Sequence, residues 1–232
     1  MSQFGALGDI HGDFDSVNRI MRRHPEVPFW ISVGDLADDD GNYQPVVAPL
    51  YWIKGNNENF DLMESGRLPQ NLHWIEQAGV ARTHGIAIAG LGGTLAPTWY
   101  ETPAAELPHP SKSSPRATAL ADKRRHFVRE EVEACKALQN VDVFMSHEAA
   151  RPYIVGGGAG RRGRRGNDAG KTPVNEVLAA MRPRLHLFGH HHRFTEQERQ
   201  GVRSVGLDLV SSSFLLIDTM TLDYSKELTA VS

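Results

Sequence analysis

Five short stretches carry the side chains best suited to chemistry: Gly8-Asp9-Ile10-His11-Gly12, Gly34-Asp35, Gly55-Asn56-Asn57-Glu58, Ser146-His147-Glu148 and Gly189-His190-His191-His192. Imidazoles, carboxylates and an amide oxygen without sulfur form a mixed N/O donor set, suited to Mn, Fe, Zn or Ni rather than Ca. A lone Asp-x-His is ordinarily a hydrogen-bonded turn residue. Five ordered matches offer about seven ligand positions, more than the four of a structural zinc site and enough for two ions. In extended backbone side chains alternate faces, so Asp9 and His11, and likewise His190 and His192, are expected to point together into one pocket, with His191 turned away. The glycines before Asp9, Asp35, Asn56 and His190 remove bulk where backbones must crowd around buried charge.

Each stretch follows a short apolar run, which assigns the chemistry to strand ends. Runs at 4–7, 29–33, 51–53, 86–89, 141–145 and 185–188, rich in Val, Ile and Phe, read as buried strands. Phe14, Val17, Ile20 and Met21 form one helical stripe, and Phe127, Val128, Val132 and Cys135 another. Pro173 opens a third, with Val174, Val177, Leu178 and Met181. Alternating segments at 194–199, 202–207 and 213–217 predict an antiparallel meander closing the sheet. Residues 95–115 hold five prolines with Trp99 and Tyr100 and read as a long surface excursion that can overhang a site. Residues 156–171 hold seven glycines with Arg161, Arg162, Arg164, Arg165 and Lys171, a cationic loop.

Composition excludes several classes. With 40% hydrophobic and 23% charged residues the chain is neither disordered nor fibrous, and its 232 residues suit one layered domain. A net charge of −3 gives no global attraction to nucleic acid or anionic membrane, so any anion site must be local. The single cysteine, Cys135, excludes an intramolecular disulfide and a thiolate cluster. No apolar run approaches a membrane span, and the first residues lack a signal-peptide pattern, so a cytoplasmic location is expected. Neither a Gly-x-Ser-x-Gly elbow nor a second cysteine offers covalent catalysis.

The ordered set Asp-x-His, Gly-Asp, Gly-Asn-x-Glu, His and Gly-His-x-His over positions 8–192 resembles the calcineurin-like metallophosphoesterases. The resemblance implies an α/β (α+β) fold, two mixed β-sheets packed as a sandwich flanked by helices. It also implies two divalent metals, Mn2+ foremost. One would be held by Asp9, His11, Asp35 and His192, the other by Asp35, Asn56, His147 and His190, with Asp35 bridging. Two ions about 4 Å apart would activate a shared water as the hydroxide that attacks phosphorus. Glu58 is expected to orient a ligand by hydrogen bonding. The family's third motif often carries a histidine where this chain has Asn57, and an amide donates no proton to a leaving group. That departure favours phosphodiesters (cyclic nucleotides, nucleic-acid ends) over phosphomonoesters or phosphoproteins. A metal-bearing protein or RNA interaction module is the reading from another class. His84 and His191 are expected to contact substrate phosphate, Arg161, Arg162, Arg164 and Arg165 to grip an anionic substrate, and His24, His73, His109 and His126 to be packing or surface residues.

Overall fold

The computed structural model describes residues 2–109, 121–155 and 166–229. Its first sheet contains β1 (Gln3–Leu7), β2 (Trp30–Ser32), β3 (Leu50–Trp52), β4 (Leu72–Trp74), β15 (Ser213–Asp218) and β16 (Tyr224–Leu228). The order is β16-β15-β1-β2-β3-β4, parallel from β1 to β4 and antiparallel at β15 and β16. The second sheet contains β5 (Val80–Thr83), β6 (Ile86–Leu91), β9 (Val143–Ser146), β12 (Leu185–Phe188), β13 (Thr195–Arg199) and β14 (Val202–Gly206). Its order is β13-β14-β12-β9-β6-β5, with a parallel centre, β14-β12-β9-β6, and antiparallel edges. Two-stranded ribbons, β7 (Thr94–Leu95) with β8 (His126–Phe127) and β10 (Ile154–Val155) with β11 (Asn167–Asp168), lie outside these sheets.

Strand alternation sorts the apolar side chains into layers. Phe4, Ala6, Phe29, Ile31, Val33 and Ile53 of the first sheet meet Ile86, Ile88, Val143, Met145, Leu185, Leu187 and Val205 of the second in a central core. The other face of the first sheet, with Trp30 and Trp52, is covered by α1 (Phe14–Arg23) and α2 (Phe60–Glu64). Ala89, Leu91 and Phe144 of the second sheet are covered by α3 (Arg129–Lys136) and α4 (Thr172–Met181). The expected sandwich flanked by helices is therefore the observed fold. No helix among the described residues is long and apolar enough to cross a membrane.

The helical stripes at 14–21 and 173–181 fall on α1 and α4, with Asp13 capping Ser16 N in the first and a proline in the first turn of the second. The remaining stripe is shorter than expected. Phe127 pairs in β8 and Val128 is extended, so α3 begins at Arg129, where the Glu131 side chain turns back to accept from Val128 N. The meander is corrected too: β13 and β14 form a hairpin on the second sheet, whereas β15 crosses to the first and pairs with β1. Between them the chain passes beside Asp9, whose carbonyl accepts from Val210 N. Alternation in sequence identifies a strand but not which of two stacked sheets receives it.

Of the 95–115 excursion, the described part docks on the start of α3, where Arg129 N donates to Tyr100 O and the Arg129 guanidinium lies over the Tyr100 ring. Residues 110–115 lie outside the described residues.

Candidate metal centre

Parallel strands put their C-terminal ends on one edge. The loops after β1, β2 and β3 and those after β9 and β12 thus converge, carrying all five motif stretches. The first two loops are laced together, because Asp35 O accepts from both Ile10 N and His11 N, at 3.0 and 2.7 Å. At two positions a side chain in place of glycine would close the site: a Cβ on Gly55 would lie 1.9 Å from Asp35 Oδ1, and one on Gly189 2.2 Å from Asp9 Oδ1. This is the crowding around buried charge expected from the sequence.

Two clusters result. Asp9, His11 and His192 bring their ligand atoms within 4.8 Å of one another, and so do Asp35, His147 and His190. In the first, His11 Nε2 stands 3.2 Å from His192 Nε2, and His192 Nε2 stands 3.0 Å from Asp9 Oδ2. Asp35 links the two, with Oδ2 3.7 Å from His11 Nε2 and Oδ1 3.6 Å from His147 Nε2. Asn56 Oδ1 lies 3.1 Å from His147 Nε2 and joins the second cluster. These are the groupings implied by the resemblance, but they do not arise by the expected route. The ligand loops lie beyond the strands, and His11, Asp35, His190 and His192 all take left-handed backbone, with φ of 46°, 51°, 66° and 49°. His190 and His192 consequently face different clusters rather than a single pocket. Left-handed non-glycine residues cost about 1–3 kcal/mol each, so the four together rival the net stability of a domain, about 5–15 kcal/mol.

The electrostatics suit cations. His147 is fully buried, and Val33 O, which can only accept, takes the proton on its Nδ1 at 2.9 Å. In the neutral ring Nε2 is therefore a lone pair, directed at the oxygens of Asn56 and Asp35. Three acceptors facing one another are what a metal ion resolves. In the metal-free chain burial opposes the charge on His147, but Asp35 and Asp9 outweigh it and raise its pKa above the ordinary histidine value. Burial also acts against ionised Asp35, yet His147, the Asn57 N–H, His11 and His190 hold that carboxyl below its usual range. Burial, then the neighbouring His147, pushes His190 down to about 3. The hydrogen bond to Asp9 raises His192. The donor chemistry and convergence thus fit two divalent ions.

The remaining motif residues surround these clusters. Asn57 donates from its backbone to Asp35 Oδ1 at 2.8 Å and from its amide to Oδ2 at 3.1 Å. Glu58 does not orient a histidine, the more usual arrangement at metal sites. Its Oε1 accepts from Leu36 N and Gly55 N, and its Oε2 from Ala37 N and the Tyr43 hydroxyl, so it staples the loops holding Asp35 and Asn56. Nothing in the motif pattern marked Tyr43. Glu148 turns to Leu95 N and Lys171 Nζ, at 2.6 and 3.2 Å. His191 stacks on Tyr153 with ring centroids 4.5 Å apart, and burial lowers its pKa to about 4.

His84 is not brought to the site. It occupies the turn before β6, stacked on Phe29, and six residues of strand, roughly 20 Å, separate it from the metal edge. The expected contact between His84 and substrate phosphate is therefore corrected: Leu91, not His84, ends β6 at that edge. Arg161, Arg162, Arg164 and Arg165 lie outside the described residues, in the connection between β10 and β11.

The chain is 25% identical over 233 residues to a lariat debranching enzyme of Schizosaccharomyces pombe, an alignment that takes in 88% of this chain. It covers 48% of that relative, so the chain spans about half the length of the protein it matches. Among solved structures, a protein of Thermus thermophilus superposes with a TM-score of 0.64 at 13% identity, covering 99% of each chain. A dimetal phosphatase from Danio rerio does so with a TM-score of 0.55 at 11% identity, again over 99% of each. At such identities these two likenesses establish the fold alone. The model of the calcineurin-like phosphoesterases, metal-dependent hydrolases of phosphoesters, matches residues 2–194, and the chain belongs to that family.

Proposed function

We propose that this chain is a dinuclear metal-dependent phosphoesterase that acts on phosphodiesters, nucleotide or nucleic-acid diesters among them. The observation that carries the reading is the convergence of acceptor atoms on both sides of Asp35. Asp9, His11, Asp35 and His192 would hold one ion, and Asp35, Asn56, His147 and His190 the other, with Mn2+ best suited to the mixed donors and Fe, Zn or Ni as alternatives. Bound divalent ions supply Lewis acidity toward phosphoryl oxygens and an acidified water near neutral pH.

The chain's own groups do the positioning. Val33 O fixes the His147 tautomer, and Asn57 pins both oxygens of Asp35. The Asn57 amide is thereby occupied, and it has no proton to give a leaving alcohol. A diester also carries less negative charge than a monoester dianion, which eases approach of an anionic nucleophile. These two points favour diesters, and the similarity to a lariat debranching enzyme supports a nucleic-acid substrate. The intact double cluster weighs against a pure interaction module, which has no need of two linked ion sites.

A panel of aryl diesters, 2′,3′- and 3′,5′-cyclic nucleotides, and aryl and alkyl monoesters, assayed with Mn2+, tests the reading. Diesters should be preferred, with a steep dependence on leaving-group pKa. Asn57→His, which also gives up the amide hydrogen bond to Asp35 Oδ2, should raise the rate on alkyl monoesters relative to that on aryl diesters by about 10². Preference for alkyl monoesters in the parent, with a shallow dependence unaltered by Asn57→His, would contradict it.

A further inference from the structure

The turn at 189–192 supplies a ligand to each cluster, His190 to one and His192 to the other, and both residues take left-handed backbone. It is tight, with His191 N donating to Gly189 O at 2.7 Å. One side is held from within the site, where His190 N donates to Asp9 Oδ2 at 2.9 Å and to Oδ1 at 3.2 Å. Against His191 lies a residue outside every motif, Tyr153. Its ring, 3% exposed, is nearly parallel to the His191 ring, at 23° with centroids 4.5 Å apart, and meets Phe188 edge-on at 5.4 Å. Phe188 ends β12, so one buried ring spans from the last residue of the strand to the middle of the turn that follows it.

Tyr153 is itself anchored. Its N–H donates to Asp168 Oδ1 at 2.8 Å and its carbonyl accepts from Ala169 N at 2.8 Å, while Asp168 also accepts from Gly170 N at 3.0 Å and Arg151 Nε at 2.8 Å. From the second sheet, Arg199 Nη2 of β13 donates to the preceding carbonyl, Pro152 O, at 2.5 Å. The hydroxyl takes no part in this, because Tyr153 Oη and His191 Nε2 are both buried without a hydrogen-bond partner among the described residues. Ring packing alone joins Tyr153 to the turn. Left-handed non-glycine residues persist only where their surroundings over-determine them. We propose that Tyr153 is a positioning residue for the metal centre, its ring clamping His191 so that His190 and His192 stay aimed at their separate clusters. His191, which belongs to neither cluster, is the handle. This inference rests on the dinuclear phosphoesterase reading and assigns a support for the ligands within it.

Mn2+ affinity of the full chain is the readout, measured by calorimetry, with bound metal counted by elemental analysis and folding followed by circular dichroism. Tyr153→Leu should weaken Mn2+ binding on the order of 10-fold, the lower end of what partners of metal ligands contribute. Tyr153→Phe keeps the ring and loses only an unpartnered hydroxyl, so it should stay within twofold of wild type. His191→Ala removes the same stack from the other side and should lose as much as Tyr153→Leu, with the double variant no weaker than either, since residues in one contact do not act additively. Should Tyr153→Leu not fold, His191→Ala and His191→Phe decide: loss in the first with recovery in the second supports the assignment, and equal affinity in both opposes it. Wild-type affinity in a folded Tyr153→Leu, Tyr153→Phe as weak as Tyr153→Leu, or losses that add in the double variant would overturn the assignment and leave the phosphoesterase reading standing. Wild-type protein that takes up no Mn2+ would overturn both.

Discussion

Glu58→Gln should weaken the metal-free protein at low pH and strengthen it at high pH. The carboxyl accepts four hydrogen bonds, from Leu36 N, Ala37 N, Gly55 N and the Tyr43 hydroxyl. Burial, and then the charge of Asp35, nevertheless push its pKa from 4.5 up to about 8. Desolvation therefore outweighs the four bonds. Because the folded value lies above the unfolded one, the native state holds the extra proton between the two. The stabilisation is complete below about pH 4.5 and is lost as pH rises toward 8, at about 1.4 kcal/mol per unit. Glutamine resembles the protonated acid in shape and does not titrate. At pH 5 the variant should be weaker than wild type by about 1 kcal/mol, because the amide nitrogen cannot accept the hydrogen bonds that one carboxyl oxygen accepts. By pH 8 the wild type has lost about 4 kcal/mol relative to it, so the variant should be the more stable by roughly 3 kcal/mol. Urea unfolding of chelator-treated protein at pH 5, 6.5 and 8 measures the difference. A difference of the same sign and size at all three pH values would refute the reasoning.

His186 should make the fold acid-labile. Burial holds this imidazole down at about 3. Ser146 Oγ gives its proton to Glu148 O at 2.6 Å and so accepts from His186 Nε2, leaving Nδ1 to accept from Ser204 Oγ. With the folded value below the unfolded one, its contribution is present above about pH 6.5 and lost toward pH 3 at about 1.4 kcal/mol per unit; in His186→Gln that part of the slope should vanish in urea unfolding between pH 4 and 7. His84→Ala, at the edge opposite the metal clusters, should leave kcat/KM within about twofold and cost no more than about 1 kcal/mol for its stacking on Phe29; a large loss of activity in a folded variant would contradict its placement.

Most of the strands, two of the four described α-helices in full and the site grouping are legible in the sequence because each depends on local pattern. Val, Ile and Phe runs are buried on both faces here, so strand positions follow from hydrophobicity alone. The ligand set is legible because its residue types are rare in that order and because glycine must stand beside Asp35 and Asp9. What stays hidden depends on long-range partners. Nothing local distinguishes β15, which crosses to the first sheet, from β14, which remains on the second. The turns at His11, Asp35, His190 and His192 place non-glycine residues themselves at positive φ, and it is these turns, not strand alternation, that divide His190 from His192. Glu58 reads as a ligand-orienting acid, whereas its partners are backbone amides and a tyrosine fifteen residues upstream.

The central claim is that Asp35 joins two metal ions in one hydrolytic site. The most direct test is metal stoichiometry and diester turnover, measured together on wild type and Asp35→Asn after chelation and reloading with Mn2+. Wild type should take up two equivalents and regain the activity that chelation abolished, whereas Asp35→Asn should hold fewer than two and turn over at least about 10²-fold more slowly, because both clusters lose a shared ligand. Turnover unaffected by chelation, or an Asp35→Asn protein with two bound equivalents and wild-type activity, would contradict the account.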